Sequence, residues 1–485
     1  MFDYRTFALG RVARIAPQYL PFADVASPAV PLSRLMRLSL FQVTVGMALV
    51  LLVGTLNRVM IVELAVPASL VAVMLSLPLV FAPFRALIGH RSDTHRSALG
   101  IRRLPYLYRG TMLQFGGFAV MPFALLVLSG FAEATDAPRW LGHASAAIAF
   151  LLVGAGLHMV QTVGLALATD LVPEEDQPKV VGLMYVMMLL GMIASALVFG
   201  WLLRDYSPLR LIQVIQGAAV VTVVLNGIAM WKQEARDRVR ARSAAPRPSF
   251  RAAWDSFAAR PGAVGLLVVV GLGTAGFGMA DVLLEPYGGQ VLGMAVGGTT
   301  RLTAVLAAGS LAGFTLASVV LNRGADPLHM AALGALAGIP AFVAITAASA
   351  SGSVALFVAA VLLAGFGAGL FGHGTLTATM RSAPREQTGL ALGAWGAVGA
   401  TAAGIALAAG GVIRDVALAL DGSAAALPYT IVFGVEAALL TLALALILPV
   451  RKTLFDTARR RAASPGQAQP GQRTVPGADA PAAGA

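Results

Sequence analysis

The chain has 485 residues, of which 58% are hydrophobic and only 12% charged, with a net charge of +12 and no cysteine. A soluble domain carries about 25% charged residues, so this composition cannot wet a whole globule and much of the surface must face lipid. The missing cysteines exclude a disulfide framework, a thiol nucleophile and a Cys-ligated metal. The basic residues are gathered in a few connecting segments, which excludes nucleic acid as the reason for the charge.

In chain order, residues 1–38 form an arm that carries Arg5, Arg11, Arg14, Arg34 and Arg37, too polar for a signal peptide and expected to lie in the cytoplasm. Six apolar runs follow at about 39–62, 67–88, 107–131, 143–169, 179–203 and 209–231. A basic linker at 232–260 separates them from six more, at about 262–284, 299–321, 328–349, 353–379, 387–412 and 428–449. Each run is long enough to cross a hydrocarbon core of about 30 Å as a helix. Lipid leaves backbone groups no other partner than their own segment, and the runs lack the alternation of a β-barrel. The fold class expected is therefore an all-α membrane protein of 12 transmembrane helices in two six-helix bundles, 39–231 and 261–449. The tail, 450–485, is rich in Ala, Pro, Gly and Gln and is expected to be disordered.

Lys and Arg set the orientation. With the N-terminus inside, only Arg58, Arg139, Arg204, Arg210, Arg301 and Arg414 of the 35 basic residues fall outside. Both termini are then cytoplasmic, in a bacterial inner membrane. The halves also echo one another. At an offset of 211, Leu151, Gly154, Gly156, Leu165, Pro173 and Gly182 fall on Leu362, Gly365, Gly367, Leu376, Pro384 and Gly393. Parallel repeats of the major facilitator type leave such a trace.

The loop after the second run reads GHRSDTHRSALGIRRLPY. Gly89 permits a tight exit from the helix, Asp93 can accept from Arg96 or cap a helix, and Arg102 and Arg103 hold the inner face. Such a loop is a structural latch or a plain positively charged connector; in neither case is it a substrate site. With NRVMIVELAVP, ATDLVPEEDQPKVVGLMYVM and DVLLEPYGGQVLGM, this loop resembles the PucC/LhaA-like, or bacteriochlorophyll-delivery, family of the major facilitator superfamily over about residues 32–450. The resemblance implies a factor for light-harvesting complex assembly that supplies bacteriochlorophyll to newly inserted antenna polypeptides, with RLSLFQVTVGMALVLL leaning towards the core-antenna branch. It implies light-harvesting polypeptides, membrane lipid, chlorophyll synthase and the membrane insertion machinery as partners, and a homo-oligomer is open. No covalently bound cofactor is expected, and bacteriochlorophyll is the candidate ligand.

Polar residues within the spans are the candidates for contact with it. His158 and Gln161 share a stripe on the fourth run, and His373 on the tenth overlays Thr162 in the repeat frame, so the two histidines are expected to face each other across a central cavity. Either could ligate chlorophyll magnesium axially or hydrogen-bond between packed helices. Asp281 and Glu285 stand four apart on the seventh run, which Pro286 and the following glycines are expected to end, and they read as a partly solvated helix terminus or a pigment contact. Asp170 and Glu174 repeat that spacing on the opposite membrane side. One magnesium cluster cannot span that distance, which argues against enzymatic diphosphate chemistry and against a resident metal. GLGTAGFG and GFGAGLFGHG are expected to serve close helix packing. The alternative to pigment delivery is a proton-coupled secondary transporter of a small lipophilic molecule.

Overall fold

The computed structural model describes residues 30–80, 88, 91–92, 101–130, 138–173, 176–234, 255, 258–382, 388–421 and 426–463. Their regular structure is helical throughout: α1 (Leu32–Glu63), α2 (Ala68–Val80), α3 (Leu104–Ser129), α4 (Arg139–Asp170), α5 (Gln177–Leu202), α6 (Pro208–Met230), α7 (Ala263–Gln290), α8 (Val296–Asn322), α9 (Pro327–Ser351), α10 (Val354–Ser382), α11 (Thr388–Asp421) and α12 (Leu427–Ala463). Eleven are long and apolar enough to cross a membrane, and α2, described as a shorter piece, is the twelfth apolar helix. Side chains such as Leu197, Val220, Val224, Val343 and Ile405 point outwards from the bundle, as lipid-facing residues do. Trp140, Trp201 and Trp231 stand exposed at helix ends, where indoles mark the two membrane interfaces.

The packing maps onto itself when each helix number is raised by six. α3 lies on α4 as α9 lies on α10, α1 on α5 as α7 on α11, and α3 on α6 as α9 on α12. Across the halves, α2 packs on α11 and α8 on α5, which are equivalent pairs under the same operation. This is the major facilitator fold.

Glycine sets how closely the helices approach. In α8 and α10 the contact is reciprocal: a Cβ on Gly313 would strike the Phe366 carbonyl, and one on Gly369 would strike the Ser310 carbonyl. Without a hydrophobic drive between helices in lipid, such backbone contact is what holds them.

Three boundaries differ from those read in the sequence. α1 starts at Leu32, inside the stretch assigned to the arm, because LSRLMRL carries its apolar face to Leu35 and Leu38 in the core. α12 runs past Pro449 to Ala463, well into the segment expected to be disordered. Arg451 there pairs with Asp326, the N-cap of α9, and no helix breaker follows until Ser464, Pro465 and Gly466. The third is α7.

Candidate functional site

α7 passes Pro286 instead of ending there. Pro286 has no N–H, so the Val282 carbonyl loses its helical donor. Asn57 of α1 replaces it, donating from Nδ2 over 2.7 Å. The helix is interrupted about two turns before Pro286, between Gly278 and Ala280. The N–H groups of Met279 and Ala280, freed by that break, donate to the Glu436 carboxylate of α12, at 2.6 Å for Ala280. α7 is thus two half-helices, pinned by one side chain from each bundle.

Asp281 and Glu285 sit just beyond the break. Glu285 is 3% exposed, so it is no solvated terminus. Its Oε1 accepts from the Thr303 hydroxyl of α8 and lies where a Cβ on Gly54 of α1 would be. α1 makes room by leaving α-helical geometry, with π-helical turns at Val50–Leu56 and Val59–Glu63. Such turns recur at functional sites. A cavity of about 110 Å³ lies here between the halves, lined by Val53 and Gly54 of α1, Met192 of α5, Asp281 and Glu285 of α7, and Thr303 of α8.

Polar ties close this end of the molecule across the halves. Thr55 meets Thr300 at 3.2 Å, the Arg58 guanidinium donates to the Met294 carbonyl at 3.2 Å, and Ser69 N–H donates to Asp415 at 2.7 Å. Arg58 also pairs with Glu63. Burial and the Glu63 charge push the Tyr206 phenol above its ordinary pKa, with Arg58 pulling the other way.

At the opposite end, Arg103 Nε sits 3.1 Å and Arg102 3.8 Å from the Asp170 carboxylate, and Arg103 donates to Ser92 at 2.7 Å. These are the two latch arginines; Gly89, Asp93 and Arg96 lie outside the described residues. Asp170 is therefore held by arginines, and Glu174 also lies outside the described residues. The Glu234 carboxylate accepts from the backbone N–H groups of Arg102, Arg103 and Leu104 at 2.7–3.0 Å, capping α3 from the start of the linker. Glu234→Ala is expected to lower the stability of the detergent-solubilised protein by about 1–2 kcal/mol, the worth of a charged cap, and Glu234→Gln by less. Thermal unfolding of the two variants beside the wild type checks this.

A second cavity, of about 750 Å³, opens on the flank between α5 and α6. Those two helices touch little. Small residues, Ala194, Ser195, Gly217 and Ala218, leave the space that Phe199, Leu202, Val214 and Val221 wall with apolar surface. Trp201, Arg204, Asp205 and Arg210 stand at its rim, with Asp205 within 3.9 Å of both arginines.

The structure does not gather the histidines at either cavity. His158 and Gln161 are buried on α4, the latter with Nε2 3.7 Å from Met188 Sδ of α5. His373 of α10 stands over Phe314 of α8 with ring centroids 4.2 Å apart. His373 thus packs against a neighbour in its own half. Among the described residues no group of three or more His, Asp or Glu could hold a metal ion.

Residues 55–455 match the model of the PUCC protein family. The chain belongs to that family. It is 63% identical over 456 residues to "Protein PucC" of Rhodobacter capsulatus, covering 93% of this chain and 99% of the relative. It is 29% identical to the "Bacteriochlorophyll synthase 44.5 kDa chain" of the same species, over 84% of this chain and 93% of that one. A bacterial homologue of the human lysosomal transporter Spinster, in an inward-facing and occupied conformation, superimposes with a TM-score of 0.65 at 14% identity, covering 89% of this chain and 98% of that one. The last likeness shows the fold alone. Within this PUCC family member, Glu436, Asn57, Thr303 and Glu234 carry weight that the sequence reading assigned to other residues. Asn57, Glu436 and Glu234 act on partners 130 or more residues away along the chain, and Thr303 on Glu285, 18 residues away.

Proposed function

We propose that this membrane protein serves bacterial photosynthetic complexes as an assembly factor for the light-harvesting antenna. It binds bacteriochlorophyll without chemical change and hands it sideways to newly inserted antenna polypeptides. The observation that carries this is the groove between α5 and α6: a cavity of about 750 Å³, apolar, and open on the flank of the bundle. Pockets for ligands of drug size or larger run from about 300 to 1,000 Å³. A pigment with a flat macrocycle and a long hydrocarbon tail would be held there by apolar area, at roughly 25 cal/mol per Å² buried. The family relation to a chain named for bacteriochlorophyll synthase supports the same ligand class.

This reading moves the holding site. His158 and His373 do not line the groove, and Asp281 and Glu285 face a cavity of about 110 Å³, too small for a tetrapyrrole. Protein purified in mild detergent from cells making antenna should carry bacteriochlorophyll absorption, and His158→Phe and His373→Phe should keep it. A colourless preparation would leave a scaffold without pigment. The antenna complex that fails to accumulate in a deletion strain tells which one is served, and antenna polypeptides, chlorophyll synthase and the insertion machinery are the partners to seek by cross-linking. The second reading, a proton-coupled transporter of a small lipophilic molecule, is favoured by the carboxylates between the halves, and it predicts uptake or efflux in proteoliposomes that follows an imposed proton gradient.

A further inference from the structure

The cavity between the halves has a chemistry that pigment handling does not use. Two carboxylates, Asp281 and Glu285, stand four residues apart on the second half of α7 and both line it. Glu285 is 3% exposed, and while Oε1 takes the Thr303 hydroxyl, Oε2 is buried without a hydrogen-bond partner. Glu436 is fully buried behind them, with Oε1 on the break of α7 and Oε2 unpartnered, and it feels the Asp281 charge. The charged groups on the surrounding elements do not offset three carboxylates. Arg58 of α1 reaches Glu285 only through its field and is paired with Glu63; Arg301 of α8 donates to the Gly200 carbonyl at 3.4 Å; Arg414 of α11 is bound to Asp415 at 2.7 Å. α5 contributes only Met192.

Glu285 and Glu436 are buried with one carboxyl oxygen each lacking a partner, whereas Asp281 is exposed where it lines the cavity. A buried carboxyl short of partners takes up a proton or a counter-cation. Among the described residues no three His, Asp or Glu gather here as ligands for a divalent metal. We propose that Asp281, Glu285 and Thr303 form a binding site for a monovalent cation, H⁺ or Na⁺, seated between the two six-helix halves beside the break in α7. The site joins α1, α7 and α8, so its occupancy sets how firmly the halves close at the Arg58 end. It shares no residue with the groove between α5 and α6, so this inference and the pigment reading stand or fall separately.

Infrared difference spectroscopy on the purified full-length protein tests it, using NaCl against choline chloride at constant pH and, in a second arm, pH steps without sodium. A carboxylate band that shifts with sodium identifies Na⁺. A protonated carboxyl band that titrates and ignores sodium identifies H⁺. Either band should vanish in Glu285→Gln, weaken in Asp281→Asn, and shift in frequency in Thr303→Val, which removes the donor and leaves the carboxylates. Should Glu285→Gln fail to fold, Asp281→Asn and Thr303→Val still decide the matter. Bands that persist unchanged in the folded variants, or the absence of any such band in the wild type, overturn the proposal.

Discussion

Gly313→Val is expected to abolish accumulation of folded protein, whereas Gly372→Val should leave it intact. A Cβ on Gly313 would meet the Phe366 carbonyl and the Leu370 nitrogen of α10, both backbone, so no rotamer change relieves the clash. Gly309 meets Leu362 and Phe366 in the same way, and Gly365 and Gly369 of α10 return the contact on Leu306 and Ser310. Separating α8 from α10 would break this whole seam. Overpacking in a core costs about 1–3 kcal/mol when side chains can yield, and more when only backbone is there to move. Membrane domains have no larger reserve, since net stabilities lie near 5–15 kcal/mol. Gly372, within the same glycine-rich run, has nothing within 4 Å of its would-be Cβ. Size-exclusion profiles and thermal unfolding of the two variants in detergent decide it. Equal behaviour would mean that the seam between α8 and α10 does not hold the C-terminal half.

That seam was partly visible in the sequence, because small residues at regular spacing report packing whatever their partner. The repeat alignment placed Gly154 over Gly365 and Gly156 over Gly367. The structure puts Gly154 against Pro78 of α2 and Gly365 against Leu306 of α8, while Gly156 meets Gly110 of α3 and Gly367 meets Gly334 of α9. Both pairs therefore face equivalent helices of the two halves. Helix number and fold were legible for the same reason: hydrophobic length and arginine placement are local properties.

The site was not legible, since its logic runs between distant parts of the chain. Pro286 reads as a helix end until Asn57 supplies the missing donor to Val282, 225 residues from it along the chain. The interruption at Met279 has no local signature beyond glycines, and it is stabilised by Glu436, 156 residues from Ala280. The cap on α3 comes from Glu234, 130 residues on from Leu104 in a linker that otherwise reads as spacer. The histidines misled for the opposite reason. The residue type suggested a ligand, but the packing that turns His373 to Phe314 left no trace in the sequence.

Gly217→Trp should have the largest effect on function with little effect on the fold. Gly217 lines the groove, and a Cβ there would have nothing within 4 Å, so an indole can enter the space between α5 and α6 without moving backbone. Trp is an acceptable helix residue, at well under 1 kcal/mol relative to its neighbours on the propensity scale, and it replaces a glycine that weakens the helix by about that amount. The side chain fills apolar volume that the pigment would otherwise occupy. At least a tenfold fall in co-purifying bacteriochlorophyll is expected, equivalent to about 1.4 kcal/mol of lost binding. Antenna accumulation in vivo should fall with it, while the unfolding temperature and the amount of protein stay at the wild-type level. Val224→Trp, at an exposed position on α6 that does not line the groove, controls for a bulky residue on the same helix. If both variants lose pigment alike, the bundle surface matters and the groove does not. If neither does, the pigment is held elsewhere, and the flank opening between α5 and α6 has to be explained by another lipophilic occupant.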